Sequence, residues 1–249
     1  MSYVHTHRYP KQDTPLPLGR HIEKDSRSRA YTFHASGPTP ERSVVWPHNT
    51  PVLNQGQVGS CTGNAMAQLL NCKLFAPARM NKVSLTEKDA LQLYSGATHN
   101  DGGGSDQYYP PHDDGASGIA VAKAAQQIGY IDSYLHCFTL AQVQAAIQTQ
   151  PLIVGTAWTN AMFTPDPTTG LVSPGELDDS TIVGGHEYLC QGVDFSSGSL
   201  VFLNSWGTGW GGGQGLTSGQ FRISFADFTN LLAADGDAVV PKSKKVVTA

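Results

Sequence analysis

Four side chains spread over 249 residues have the types that acyl transfer at a thiol requires: Gln55, Cys61, His186 and Asn204. A cysteine attacks carbonyls as its thiolate, so it needs a base within reach and positive potential beside it. The turn Gln55-Gly56-Gln57-Val58-Gly59-Ser60-Cys61 runs straight into Ala65, Met66, Leu69, Leu70 and Leu74, apolar residues at the three- and four-residue steps of a helix. Cys61 therefore opens that helix, where unpaired N–H groups and the helix dipole favour a negative sulfur. Ser60 reads as the N-cap, and Gly59 as the point where backbone passes close to a reactant. Folded back by the turn, the Gln55 amide joins the Cys61 N–H as a second donor to an oxyanion.

The base is expected from the second half of the chain. In Gly184-Gly185-His186-Glu187-Tyr188 a histidine opens a strand behind two residues with no side chains to block it. The next strand ends at Phe202-Leu203-Asn204. Antiparallel pairing would bring the Asn204 carbonyl to one imidazole nitrogen, fixing the ring and its tautomer while the other nitrogen faces Cys61. Trp206 would cover that hydrogen bond from water. Alone, His186 reads as a strand-edge histidine and Asn204 as a turn residue. Together with Gln55 and Cys61 they have the composition of a catalytic site.

The elements that must carry these residues fall into two groups. After the Cys61 helix, Ser84-Leu85-Thr86-Glu87 reads as a capping box for a second helix reaching about Tyr94. A third runs from about Ser117 to Gln127 and stops at Gly129, and a fourth starts at Thr139 and ends near Gln148. Thr98 to Gly118, rich in Gly, Asp, Pro and Tyr, reads as a long surface loop. Beyond 150, Leu152–Trp158, His186–Val193, Ser199–Asn204 and Gln220–Phe225 are strand-like. This segregation predicts an α+β fold: a helical lobe over about 55–150, a β lobe over about 151–241 plus 44–54, and the site in the cleft between them.

Residues 1–43 show no sustained period and are read as an irregular arm. Seven of the sixteen Lys and Arg fall within residues 1–45 against four acids, so this segment carries +3 and the remainder −7. That asymmetry predicts either that the arm packs across the body, where it would gate the cleft, or that it stays mobile. His5, His7, His21 and His34 are expected to be exposed, and the basic tail 242–249 disordered.

A formal charge of −4 with few charged residues, 14% in all, argues against a nucleic-acid partner. The start has no apolar core of a signal peptide, and no stretch reaches membrane-spanning length, so neither a secretory leader nor a membrane partner is expected. The four cysteines lack paired spacing, which points to a reducing, cytoplasm-like compartment rather than a disulfide framework. No metal-ligand set or cofactor motif stands out, and a monomer is expected.

The blocks Asn54-Gln55-Gly56 with Gly59-Ser60-Cys61, Gly185-His186, and Asn204-Ser205-Trp206-Gly207-Thr208-Gly209-Trp210-Gly211 resemble the three signature blocks of the papain family of cysteine peptidases. His186 and Asn204 follow Cys61 by 125 and 143 residues, near the roughly 130–150 typical of that arrangement. The resemblance covers about residues 44–232. It implies a papain-like two-lobed fold with an antiparallel, barrel-like β lobe, and hydrolysis of protein or peptide substrates through a thioester. It assigns Cys61 as nucleophile, His186 as base and then acid, Asn204 as orienter and Gln55 as oxyanion donor. By the same likeness Gly59, Gly115, Ala116, Gly185 and Trp206 would line the substrate site. The chain departs from the family at Val58, where many members have a disulfide cysteine, at Thr62, at Ala116 and at Gly185, and residues 1–43 are not expected to form the family's long helical propeptide. An acyltransferase or ligase with the same thiol chemistry, or a non-catalytic module that keeps the fold, are the alternatives.

Overall fold

The computed structural model describes residues 4–243 except 11, 36, 38, 39, 49, 80 and 81. In chain order the elements are β1 (Val4–His7), β2 (Arg20–Asp25), β3 (Val44–Val45), α1 (Cys61–Asn71), α2 (Glu87–Asn100), β4 (Ala116–Ser117), α3 (Gly118–Ile128), β5 (Ile131–Cys137), α4 (Leu140–Ile147), β6 (Leu152–Thr159), β7 (Ile182–Asp194), β8 (Ser199–Leu203), β9 (Gln220–Ser224), α5 (Phe225–Ala233) and β10 (Asp237–Ser243).

The main sheet is antiparallel, in the order β5-β10-β6-β7-β8-β9 with β3 also on β7. It is open at its edges, so the expected barrel-like lobe is an unclosed sheet. Its central strands bury both faces, and successive side chains serve two cores. Leu152 and Val154 of β6, Tyr188 and Cys190 of β7 and Phe202 of β8 pack with α4, α5 and a cluster of aromatic rings. Ile153, Leu189, Leu203 and Val239, from β6, β7, β8 and β10, pack against α1, α2 and α3. The α1 helix is buried along its whole length. Small residues make that close packing feasible: a β carbon on Gly63 would meet the Ala90 carbonyl and the Tyr94 side chain of α2.

Several sequence expectations change. The second helix is capped by Thr86 paired with Asp89, not by Ser84 and Glu87, and it continues to Asn100. Gly96 does not stop it, because a β carbon there would stand 3.0 Å from Ala124; the missing side chain lets α2 cross α3. The region before residue 150 is not all helical, since β5 lies in it at the sheet edge and α4 adds Val143, Ala146 and Ile147 to the sheet's second core. Part of the supposed tail, Lys242 and Ser243, completes β10; residues 244–249 lie outside the described residues.

The largest change concerns the arm. Instead of being irregular, it forms the antiparallel pair β1–β2, and β2 adds in parallel to β4 through Arg20–Ala116 and His21–Ser117. His21 is buried, not exposed. Its Nδ1 meets Asp101 Oδ2 and its Nε2 the Asp114 carbonyl, both at 2.5 Å. The start of the presumed surface loop thus becomes an anchor: Asp101 also accepts from the Ser117 backbone N–H at 2.8 Å.

Candidate active site

The turn that presents Cys61 is tied to both halves of the molecule. On the sheet side, the Gln55 N–H donates to the Ser205 carbonyl at 2.9 Å and the Ser205 hydroxyl to Gln55 Oε1 at 2.6 Å. On the helical side, the Gly59 N–H donates to both carboxylate oxygens of Asp113, at 3.1 and 2.9 Å. Asp113 also accepts from the Tyr94 hydroxyl at 2.7 Å, which itself accepts from the Gly115 N–H at 2.9 Å. Ser60 occupies the N-cap position without capping. Its hydroxyl is engaged with Asn64 Nδ2 at 3.0 Å instead, so the expected side-chain cap is absent.

Cys61 is the first residue of α1 and is fully buried. Burial pushes its thiol up to about 12, against the pull of the backbone N–H groups of Glu187, Thr62 and Gly19 on the sulfur. Contact with the Glu187 N–H sets the sulfur against β7 immediately after His186. The His186 ring is buried as well. Its Nε2 lies 2.7 Å from Asn204 Oδ1, which also accepts from the Ser205 N–H at 2.7 Å. An oxygen accepting twice requires the proton on Nε2, leaving Nδ1 with a free lone pair. That nitrogen is buried and has no hydrogen-bond partner. Trp206 stacks on the imidazole at 4.5 Å and 19°, and Trp158 meets it edge-on at 5.0 Å. Desolvation in this aromatic box takes the imidazole down to about 4, with the Asn204 bond opposing.

Gln55, Gly59, Gly115, Ala116, Gly185 and Trp206 surround the same space, and the arm runs through it. The Pro17 carbonyl accepts from Gln55 Nε2 and Trp206 Nε1, both at 3.3 Å. Two residues on, the Gly19 N–H donates to the Gly185 carbonyl at 3.1 Å and the Ala116 N–H to the Gly19 carbonyl at 2.9 Å. Small residues are needed for this approach. A β carbon on Gly59 would come within 2.9 Å of the Leu18 carbonyl, and Gly115, at φ +98°, has no room for one against the Gly19 carbonyl.

Sequence reasoning missed Arg20, Glu187 and Asp237, which meet beside this groove. The one available signal was Glu187, a carboxylate in the middle of a strand most of whose residues are apolar or small. Among the described residues, no cluster of three or more His, Cys, Asp or Glu has the geometry to hold a metal ion.

An open antiparallel sheet faced by a helical layer is the papain-like architecture. Solved structures bear out the fold. Xylellain, a cysteine protease from Xylella fastidiosa, superposes with a TM-score of 0.59 at 18% identity, over 95% of this chain and 99% of that one. The digestive procathepsin L 3 of Tenebrio molitor larval midgut gives 0.61 at 20% identity, over 85% and 73%. The stem bromelain precursor gives 0.55 at 15%, over 96% and 78%. No protein-family model and no curated protein sequence matches the chain. The chain thus has the papain-like fold, at sequence identities where the fold alone is what these structures share with it.

Proposed function

We propose that the chain is a cysteine peptidase that hydrolyses peptide bonds through Cys61, His186 and Asn204. One observation carries the reading: His186 is bonded to Asn204 through one nitrogen, sealed by Trp206, and its second nitrogen is left free on the strand that touches the Cys61 sulfur. In this mechanism His186 Nδ1 takes the thiol proton as the sulfur attacks the scissile carbonyl. Gln55 Nε2 and the Cys61 N–H hold the developing oxyanion. The imidazolium then protonates the leaving amine, and a water activated by the same imidazole cleaves the thioester and frees the thiol. Gly59, Gly115, Ala116, Gly185 and Trp206 form the substrate groove.

The arm fits a gating role. The Pro17 carbonyl lies on the amide that would stabilise the oxyanion. With the arm seated, burial keeps both thiol and imidazole neutral at pH 7, so the reactive ion pair forms once residues 17–20 lift and water enters.

Mass spectrometry of a peptide library incubated with wild type and Cys61→Ala tests the assignment. New termini generated by wild type alone are expected, whereas cleavage surviving in Cys61→Ala would remove Cys61 from the chemistry. Products joined to an amine would indicate acyl transfer instead of hydrolysis.

A further inference from the structure

The helix that opens with Cys61 has no side-chain cap of its own. Ser60 stands at the N-cap without bonding the first turn, and its hydroxyl is taken by Asn64 Nδ2 at 3.0 Å. The anchor comes instead from a side chain 54 residues further along the chain. Asp113 accepts the Gly59 N–H on both carboxylate oxygens, at 3.1 and 2.9 Å. Glycine makes the approach possible, because a β carbon at 59 would crowd Asp113 Oδ1 at 3.2 Å.

Asp113 is itself mounted on α2. Its Oδ1 accepts from the Tyr94 hydroxyl at 2.7 Å, and that hydroxyl oxygen accepts from the Gly115 N–H at 2.9 Å. Tyr94 is fully buried in α2, with its ring against Tyr109 at 5.0 Å. Burial, and next the Asp113 charge, push the Tyr94 hydroxyl well above its ordinary range, so it stays a donor to the carboxylate. An N–H and an O–H converge on one acceptor group here. A carboxylate can serve both, whereas an amide in the same place turns a donor toward one of them.

The two ends of the turn are thus set from different halves of the molecule. The Ser205 hydroxyl holds Gln55 from the sheet side, and Asp113 holds Gly59, two residues before the sulfur, from the helical side. The sulfur's place relative to His186 depends on the second anchor. We propose that Asp113 is a positioning residue of the cleavage reaction, which acts through the Gly59 backbone to hold the Cys61 sulfur where it can attack a bound carbonyl. The proposal rests on the peptidase reading. Its network also has a built-in asymmetry. Loss of the carboxylate frees the turn and leaves Gly115 on Tyr94, while loss of the Tyr94 hydroxyl releases Gly115 as well.

Steady-state kinetics of full-length wild type, Asp113→Asn and Tyr94→Phe on a peptide that wild type cleaves, with the folded fraction set by urea titration, test this. Asp113→Asn is expected to lower kcat by about 10–100-fold, the effect of displacing a reacting group by up to about an ångström. Its KM should stay within about threefold of wild type, as for an interaction that matters in the transition state alone. Tyr94→Phe should lower kcat and also raise KM, because the substrate-facing Gly115 loses its partner. An Asp113→Asn kcat per folded molecule equal to wild type, whatever the change in stability, would overturn the proposal and leave the peptidase intact. If wild type cuts no peptide, the peptidase reading fails by itself, and the pH profile of Cys61 alkylation by iodoacetamide decides the anchor. Asp113→Asn should move that profile toward an ordinary thiol, half-ionised near about pH 8.5, and coinciding profiles would overturn the proposal. Should Asp113→Asn not fold, Asp113→Glu, which keeps both oxygens on a longer stem and so shifts Gly59, serves in its place with the same expected fall in kcat.

Discussion

At the scale of single residues, Gln55 ties the turn to the sheet and to the arm. Its Oε1 is held by the Ser205 hydroxyl, which turns Nε2 toward the carbonyl in the groove. Glutamate at this position keeps the acceptor and removes the donor. Gln55→Glu is therefore expected to lower kcat by about 10²–10³-fold, the usual loss for one oxyanion donor, with a smaller change in KM. Steady-state kinetics on a cleaved library peptide would check this; an unchanged kcat would remove Gln55 from the oxyanion site. Ser205 holds Gln55 in place, as Asp113 holds Gly59.

At the scale of elements, the arm is a strand pair whose last turn before β2 lies in the groove. It is held there by main-chain bonds from Gly19 to Gly185 and Ala116 and by Arg20. Gly19 faces the Gly59 backbone with no room for a side chain. Gly19→Ala should unseat residues 17–20 and expose Cys61, raising its alkylation rate by iodoacetamide about tenfold or more at pH 7.5, because local opening limits access to a buried thiol. The rate is read by mass spectrometry of the labelled Cys61 peptide. An unaltered rate would show that the seated arm does not shield the sulfur.

For the whole molecule, the buried histidine links the site to stability. Its pKa falls from about 6.5 when unfolded to about 4 when folded, so the unfolded chain binds the extra proton between these values. The contribution of neutral His186 is thus complete above about pH 6.5 and is lost as pH falls through 4, amounting to about 3 kcal/mol. His186→Gln should flatten the decline of unfolding free energy across that window in urea titrations. His48 and His136 are also lowered by burial and act in both proteins, so the difference between the two curves isolates His186. Parallel curves would contradict a buried neutral imidazole.

Local sequence determined much of this protein. A glycine-rich turn before an apolar helical period could place Cys61 only at a helix start, and two consecutive strands with a short connection could only bring Asn204 back toward His186; both are short-range consequences of backbone geometry. The likeness of the Asn204–Gly211 block to papain-family sequences anticipated the fold. What lay beyond reach were features whose partners are remote. The arm's order comes from backbone bonds of Gly19 to residues about 100 and 170 positions away, which side-chain periodicity does not encode. The length of α2 depended on Gly96 meeting Ala124, and β10 could enter the sheet only once β5 and β6 stood on either side of it. The buried Arg20–Asp237 pair beside Glu187 is the clearest case. Arg20, Glu187 and Asp237 are an arm residue, a strand residue and a strand-start residue, each ordinary in its own window. Tertiary packing alone brought their charges together, because burial and pairing belong to space and not to sequence separation.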